Sequence, residues 1–138
     1  MTNILIDSCF WYSMFDKYDE HYNKVQHMQE YLEFGNIILP YPIIYETLNT
    51  RFVKRKEWLT TFNDLLKRES TVLVSDEPYK VKALSSVLSN TTRPLSLVDM
   101  TIRLMLDDID LNINALITFN VEDFIDICSN KRIELISK

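Results

Sequence analysis

Five short apolar runs, each bounded by polar residues and separated by longer stretches with helical spacing, limit the folds open to this chain more than any other feature. The runs are Ile4-Leu5-Ile6, Ile37-Ile38-Leu39, Val72-Leu73-Val74, Ala115-Leu116-Ile117 and Ile133-Glu134-Leu135-Ile136. Runs of this kind read as buried strands, and the last alternates as an edge strand would. Residues 11–34, 43–67, 78–88, 97–108 and 121–128 carry apolar side chains at helical period instead. Strands that alternate with helices pair in parallel, because parallel neighbours need crossovers and right-handed crossovers place helices on both faces. The expected class is α/β: a three-layer α/β/α sandwich around a central parallel sheet of about five strands, in the doubly wound arrangement.

The length of 138 residues suits one domain spanning residues 1–138. With 46% hydrophobic and 25% charged residues, the chain can bury a core without disulfides or a structural metal. Cys9 and Cys128 make no zinc pattern and read as reduced, buried thiols, which suits a cytoplasmic protein. The N-terminus lacks the basic segment and apolar run of a signal peptide. The longest apolar stretch, residues 37–45, is broken by Pro40 and Pro42 and is too short to cross a bilayer, so no membrane association is expected. The single glycine, Gly35, falls where the first helical region should stop and is expected as its C′ residue. So few glycines exclude both the dinucleotide fingerprint and the phosphate-binding loop.

In open parallel sheets, functional groups gather at the carboxyl ends of strands. Asp7-Ser8 follows the first strand, Glu46 follows the second beyond its Tyr41-Pro42 turn, and Thr118-Phe119-Asn120 follows the fourth. Asp99 lies near the start of the helix before that fourth strand. Carboxylates brought together repel one another unless a cation compensates, and hard oxygen donors suit Mg²⁺ or Mn²⁺. Such an ion supports phosphodiester hydrolysis without a Ser-His-Asp triad. The net charge of −5 argues against nonspecific attraction to nucleic acid but not against a nuclease, whose site acids are neutralised by metal while a local basic patch grips phosphate.

These residues carry a resemblance to the PIN-domain family, which includes the VapC-type toxins of toxin–antitoxin systems. It rests on Ile4-Leu5-Ile6-Asp7-Ser8, residues 42–48 around Glu46, residues 95–101 around Asp99, and Thr118-Phe119-Asn120-Val121-Glu122-Asp123-Phe124. The resemblance implies a metal-dependent endoribonuclease with Asp7, Glu46 and Asp99 as acidic ligands of Mg²⁺ or Mn²⁺. Asn120 stands at the fourth catalytic position, often Asp in the family, and Asp123 is a substitute metal ligand there. Ser8 and Thr118 would supply hydrogen bonds beside the ligands. A 5′-phosphate product, an RNA substrate, a homodimer and a cognate antitoxin that blocks the cleft are further implications.

Each residue also has a structural reading. Asp7 could cap the next helix, Glu46 could be a first-turn glutamate favoured by the helix dipole, and Asp99 could pair with Arg103 one turn away. Asn120 and Asp123 both suit a helix cap. His21 and His27 point to different faces and read as solvated. Of Phe10, Trp11, Tyr12, Phe15, Tyr18 and Tyr22, part is core, and the excess would face a partner or stack on bases. Arg51, Lys54, Arg55 and Lys56 are the candidate RNA-phosphate grip. Two rival functions are a PIN-like scaffold that binds without cutting, for which Asn120 is the best support, and a receiver-like signalling domain, to which Val74-Ser75-Asp76 is a loose match.

Overall fold

The computed structural model describes residues 2–90 and 92–138. Its centre is a five-stranded sheet of β1 (Asn3–Ile6), β2 (Asn36–Pro40), β3 (Thr71–Val74), β4 (Ala115–Ile117) and β5 (Glu134–Ile136). The spatial order is β3-β2-β1-β4-β5 and every pairing is parallel. Leu5 sits opposite Ile38 on one side and Leu116 on the other, so β1 is the middle strand. Leu5, Ile6, Ile37, Leu39, Leu116 and Ile117 are all completely buried, as strands covered on both faces must be. Val72 and Leu73 of β3 stay exposed, since β3 lies at an edge. The α/β/α sandwich expected from the alternating pattern is the fold observed.

The helices are shorter than their periodicity suggests. The first helical region consists of α1 (Ser8–Phe15), α2 (Tyr22–Met28) and α3 (Glu30–Phe34). The second consists of α4 (Tyr41–Thr47), α5 (Thr50–Val53) and α6 (Lys56–Leu66). Asp, Asn and Ser side chains that bond to nearby backbone compete with continued helix, and the breaks between α1 and α2 and between α4 and α5 fall at such residues. Asp16 accepts from the Tyr18 amide, Asp19 from the His21 amide, and Asn49 from the Phe52 amide. The chain then runs through α7 (Lys80–Ser89) and α8 (Leu97–Asp107). After β4, a 3₁₀ turn (Val121–Asp123) precedes α9 (Ile125–Lys131), so the last helical region starts later than its pattern implied.

Gly35 does end α3, but with φ −125° and ψ 166° it is extended rather than left-handed. Its reason is close packing. A Cβ there would lie 2.7 Å from Ile4 Cδ1 and 3.0 Å from the Thr2 carbonyl oxygen. The glycine therefore lets the start of β2 approach β1, a tertiary demand rather than a helix-capping one.

The aromatic group after Asp7 is mostly interior. Phe10 and Trp11 are fully buried, and Trp11 meets Phe62 edge to face at 5.4 Å. Phe15 and Tyr12 each pack edge-on against Phe52. Tyr18 alone of the six is exposed, so this segment offers little surface to a partner. Among the described residues no helix is long and apolar enough to cross a membrane.

Candidate active site

The strand order reverses between β1 and β4, because β2 and β3 continue on one side of β1 while β4 and β5 extend on the other. A crevice opens at the carboxyl ends of strands where such a sheet changes direction. Asp7 directly follows β1, and Thr118 through Asn120 directly follow β4. Topology thus brings the first and last of the candidate motifs side by side.

Asp7 caps α1, as the structural reading allowed, and does so from a buried position only 7% exposed. One carboxylate oxygen accepts the Ser8 amide at 2.8 Å, and the other accepts the Thr118 hydroxyl at 2.8 Å. The Thr118 oxygen also accepts the Asn120 amide at 3.0 Å, tying the loop after β4 to the carboxylate after β1. Glu46 accepts the Ser8 hydroxyl at 3.0 Å. It sits in the last turn of α4, not the first, because the helix already starts at Tyr41 with Pro42 in its first turn. A carboxylate gains nothing from the dipole at that end, which removes the simple helix-stability explanation for Glu46. The Tyr12 hydroxyl donates to the carbonyls of Glu46 and Thr47, at 3.2 and 3.1 Å, and pins this end of α4 to α1. Asp99 is the third residue of α8, and Ser96 caps that helix by accepting the Asp99 amide at 3.0 Å.

Arg103 does not pair with Asp99. Its guanidinium holds Asp126 with both terminal nitrogens at 2.8 Å and donates to the Asp123 carbonyl at 2.7 Å. Arg93 joins the same carboxylate at 3.2 Å. These cations hold the Asp126 carboxyl well below the usual range, and they clamp the 3₁₀ turn against α8. Asp99 keeps its charge uncompensated.

Asp7, Ser8, Glu46, Asp99 and Asn120 line one cavity of about 530 Å³. Asp123 is set back from it and accepts a hydrogen bond from the Asn120 side-chain amide. That bond assigns the nitrogen of Asn120 to Asp123, so the carbonyl oxygen is the atom able to meet a cation. Among the described residues the cavity wall carries no Lys or Arg, while Asp19 and Glu20 add two further acids. The electrostatic consequence is uniform. Burial raises the Asp7 carboxyl above its ordinary value, and burial together with repulsion from Asp7 raises Glu46. Asp99 is pushed up to about 6 by burial, then by Asp7, Asp123 and Glu46. Among the described residues no three His, Cys, Asp or Glu side chains stand close enough to enclose an ion ready-made. The donor set nevertheless fits a hard divalent cation, which keeps much of its water and takes few protein carboxylates.

Several wall residues were not picked out by the motifs. Cys9 lines the cavity, and burial and the neighbouring Asp7 push its thiol up to about 12, so it stays neutral rather than acting as nucleophile or soft ligand. His21 is not simply solvated: it lines the cavity and stacks on Phe119, whereas His27 is exposed. His21 is far in sequence from any strand end, which hid it, whereas Cys9, two residues past Asp7, reads in the sequence only as a buried thiol. The basic cluster lies outside the cavity. Arg51 is ion-paired with Asp16 and Arg55 covers Trp58, while Lys54 and Lys56 are exposed.

The five-stranded, all-parallel sheet in this order, covered by helices on both faces, is a PIN-type α/β/α fold of the kind seen in VapC proteins. The structure is similar to the crystal structure of Mycobacterium tuberculosis VapC20, described as a sarcin-ricin loop cleaving toxin, with a TM-score of 0.70 at 12% sequence identity. The match covers 89% of this chain and 94% of that one. No protein-family profile and no curated protein matches the sequence.

Proposed function

We propose that this protein is a divalent-metal-dependent endoribonuclease acting as the toxin of a toxin–antitoxin pair in the cytoplasm. The observation that carries the reading is the cavity at the sheet's reversal point, lined by Asp7, Glu46 and Asp99 with no Lys or Arg on its described wall. An anionic substrate enters such a cavity only when cations accompany it. VapC-type proteins are RNA-cutting toxins, and the likeness to VapC20 in fold supports RNA as the substrate class.

In this reading Asp7, Glu46 and Asp99 hold Mg²⁺ or Mn²⁺, with the Asn120 carbonyl as an uncharged fourth donor. The ion supplies water of lowered pKa and stabilises charge on the leaving oxygen of an RNA phosphodiester. The chain's own work is positioning. Thr118 and the Ser8 amide each satisfy one oxygen of Asp7, the Ser8 hydroxyl aims Glu46, and Asp123 turns the Asn120 amide. Asp123 acts from behind Asn120 and adds negative charge near Asp99. Thr118→Val should therefore lower metal affinity or cleavage about 10- to 100-fold, as loss of a ligand's hydrogen-bond partner does. It should also cost roughly 1–3 kcal/mol in urea unfolding, because the Asn120 amide loses its acceptor. Full activity in that variant would remove Thr118 from the site.

Arg51, Lys54, Arg55 and Lys56 would meet RNA outside the cavity. Replacing all four with Ala should lower the slope of log affinity against log salt by about 1 for each phosphate left without its cation. An unchanged slope would discard the patch. A homodimer finds its support on α7, where Val81, Leu84 and Leu88 are exposed at spacings that place them on one face. Val81→Lys with Leu88→Lys should then shift the sedimentation mass to that of one chain, and no shift would exclude this face. A cognate antitoxin would act by filling the acid-lined cavity.

The deciding experiment is cleavage of a mixed RNA pool with Mn²⁺, with Mg²⁺ and with EDTA. Cutting that requires metal establishes the nuclease. Inertness under all three conditions favours the scaffold that binds without cutting.

A further inference from the structure

Resting on the nuclease reading, we propose that His21 and Phe119 form a base-stacking subsite on the cavity wall, which takes one unpaired nucleobase of the RNA beside the bond to be cut. The two rings are stacked, with centroids 4.3 Å apart and an interplanar angle of 24°, and both line the cavity that holds Asp7, Glu46 and Asp99. A pair serving only the core would be buried, yet the His21 side chain remains 30% exposed.

The platform is fixed from both ends. The His21 amide donates to Asp19 at 2.8 Å, and the Ser13 hydroxyl holds the same Asp19 oxygen at 2.8 Å. Phe119 lies between Thr118, which bonds Asp7, and Asn120, whose amide bonds Thr118. The Phe119 ring of the stack therefore sits on the same loop as Thr118, which holds the first carboxylate, and both rings line the same cavity as that carboxylate. Phe119 has the imidazole on its ring and the Lys24 ammonium 5.1 Å from its centroid. The His21 Nε2 lies 3.5 Å from a Glu20 carboxylate oxygen, and the proposed base rests on the imidazole face turned away from Phe119.

The chemistry of the walls selects the ligand. Asp19, Glu20 and the three site carboxylates disfavour anions at this point, whereas a nucleobase is neutral, planar and has a π-face whatever its identity. A paired base cannot reach the shelf, so the substrate must be single-stranded or looped there. Lys24, with its ammonium over the Phe119 ring, is the cation proposed for the neighbouring backbone phosphate.

The test uses the full chain, an unstructured RNA with 2-aminopurine placed at successive positions, and Mn²⁺, with fluorescence and cleavage read on the same samples. Stacking quenches 2-aminopurine. The expected result is quenching at one position beside the cut, lost in His21→Ala together with a fall of about ten-fold in kcat/KM carried mainly by KM. His21→Phe should restore most of both, and His27→Ala, on the exposed side of α2, should change neither. Unchanged quenching in His21→Ala, or a His21→Phe variant as impaired as His21→Ala, overturns the subsite. Quenching that depends on His21 without any cleavage by wild type overturns the nuclease reading and leaves the subsite standing. With neither quenching nor cleavage, both fall.

Discussion

Asp7→Asn is expected to lower RNA cleavage on the order of a thousand-fold or more, equivalent to about 4 kcal/mol of transition-state stabilisation, without unfolding the protein. The substitution keeps the shape of a residue that is 7% exposed and bonded on both oxygens. An amide oxygen still accepts from Ser8, and its nitrogen can donate to Thr118, so the cap of α1 survives. What disappears is a buried negative charge at the meeting point of β1 and β4. Because burial already holds the Asp7 carboxyl above its ordinary value, removing that charge relieves the metal-free fold rather than straining it. Initial rates with Mn²⁺ and thermal melts in EDTA, on wild type and variant purified identically, measure the two halves. A variant that keeps more than about a tenth of the wild-type rate would take Asp7 out of the reaction.

The second large effect is on stability. Addition of Mn²⁺ at a hundred times its dissociation constant should stabilise the folded protein by about 2.7 kcal/mol, a rise of several degrees in melting temperature for a domain of this size. Without metal, the carboxyl of Asp99 stands at about 6 against an ordinary 3.8, through burial first and the neighbouring acids second. A carboxyl raised in this way binds its proton more tightly in the folded chain than in the unfolded one. Its contribution is present below the unfolded value and is lost as pH rises towards 6. Above that pH the metal-free protein carries the full repulsion.

In EDTA at neutral pH, Asp99→Asn should therefore melt at or above wild type, by about 1 kcal/mol once solvent screening of this half-buried group is allowed for. The fall in stability between pH 4 and 6 should flatten, and most of the gain from Mn²⁺ should vanish. Melts across that pH range, with and without metal, decide it. If Asp99→Asn melts far below wild type in EDTA, the carboxylate supports the fold and the proposed metal site is wrong.

The structural clamp explains why Asp99 responds in this way. In sequence, Arg103 is the obvious partner of Asp99, one helical turn away. In the fold, Arg103 turns instead to Asp126 and the Asp123 carbonyl. The arginine thereby positions the turn that carries Asn120 and Asp123, and the site acid is left for a cation from outside.

What the sequence by itself determined is local. Five strands and their parallel pairing follow from short apolar runs separated by helical segments, because side-chain period and crossover geometry need no knowledge of distant contacts. Asp7, Glu46 and Asp99 were legible as candidates from the motifs that carry the family resemblance, and Asp7 also from its place directly after β1. The tertiary structure alone decided the rest. It set β1 beside β4, which brings Thr118 onto Asp7. It placed Glu46 at the end of α4 and made Gly35 a point of close approach to β1. It put Asn120 on the cavity wall with Asp123 behind it, and it stacked His21 on Phe119. Nearly all of these join segments far apart in the chain and form only when every packed element is in place, so no local pattern of residues encodes them.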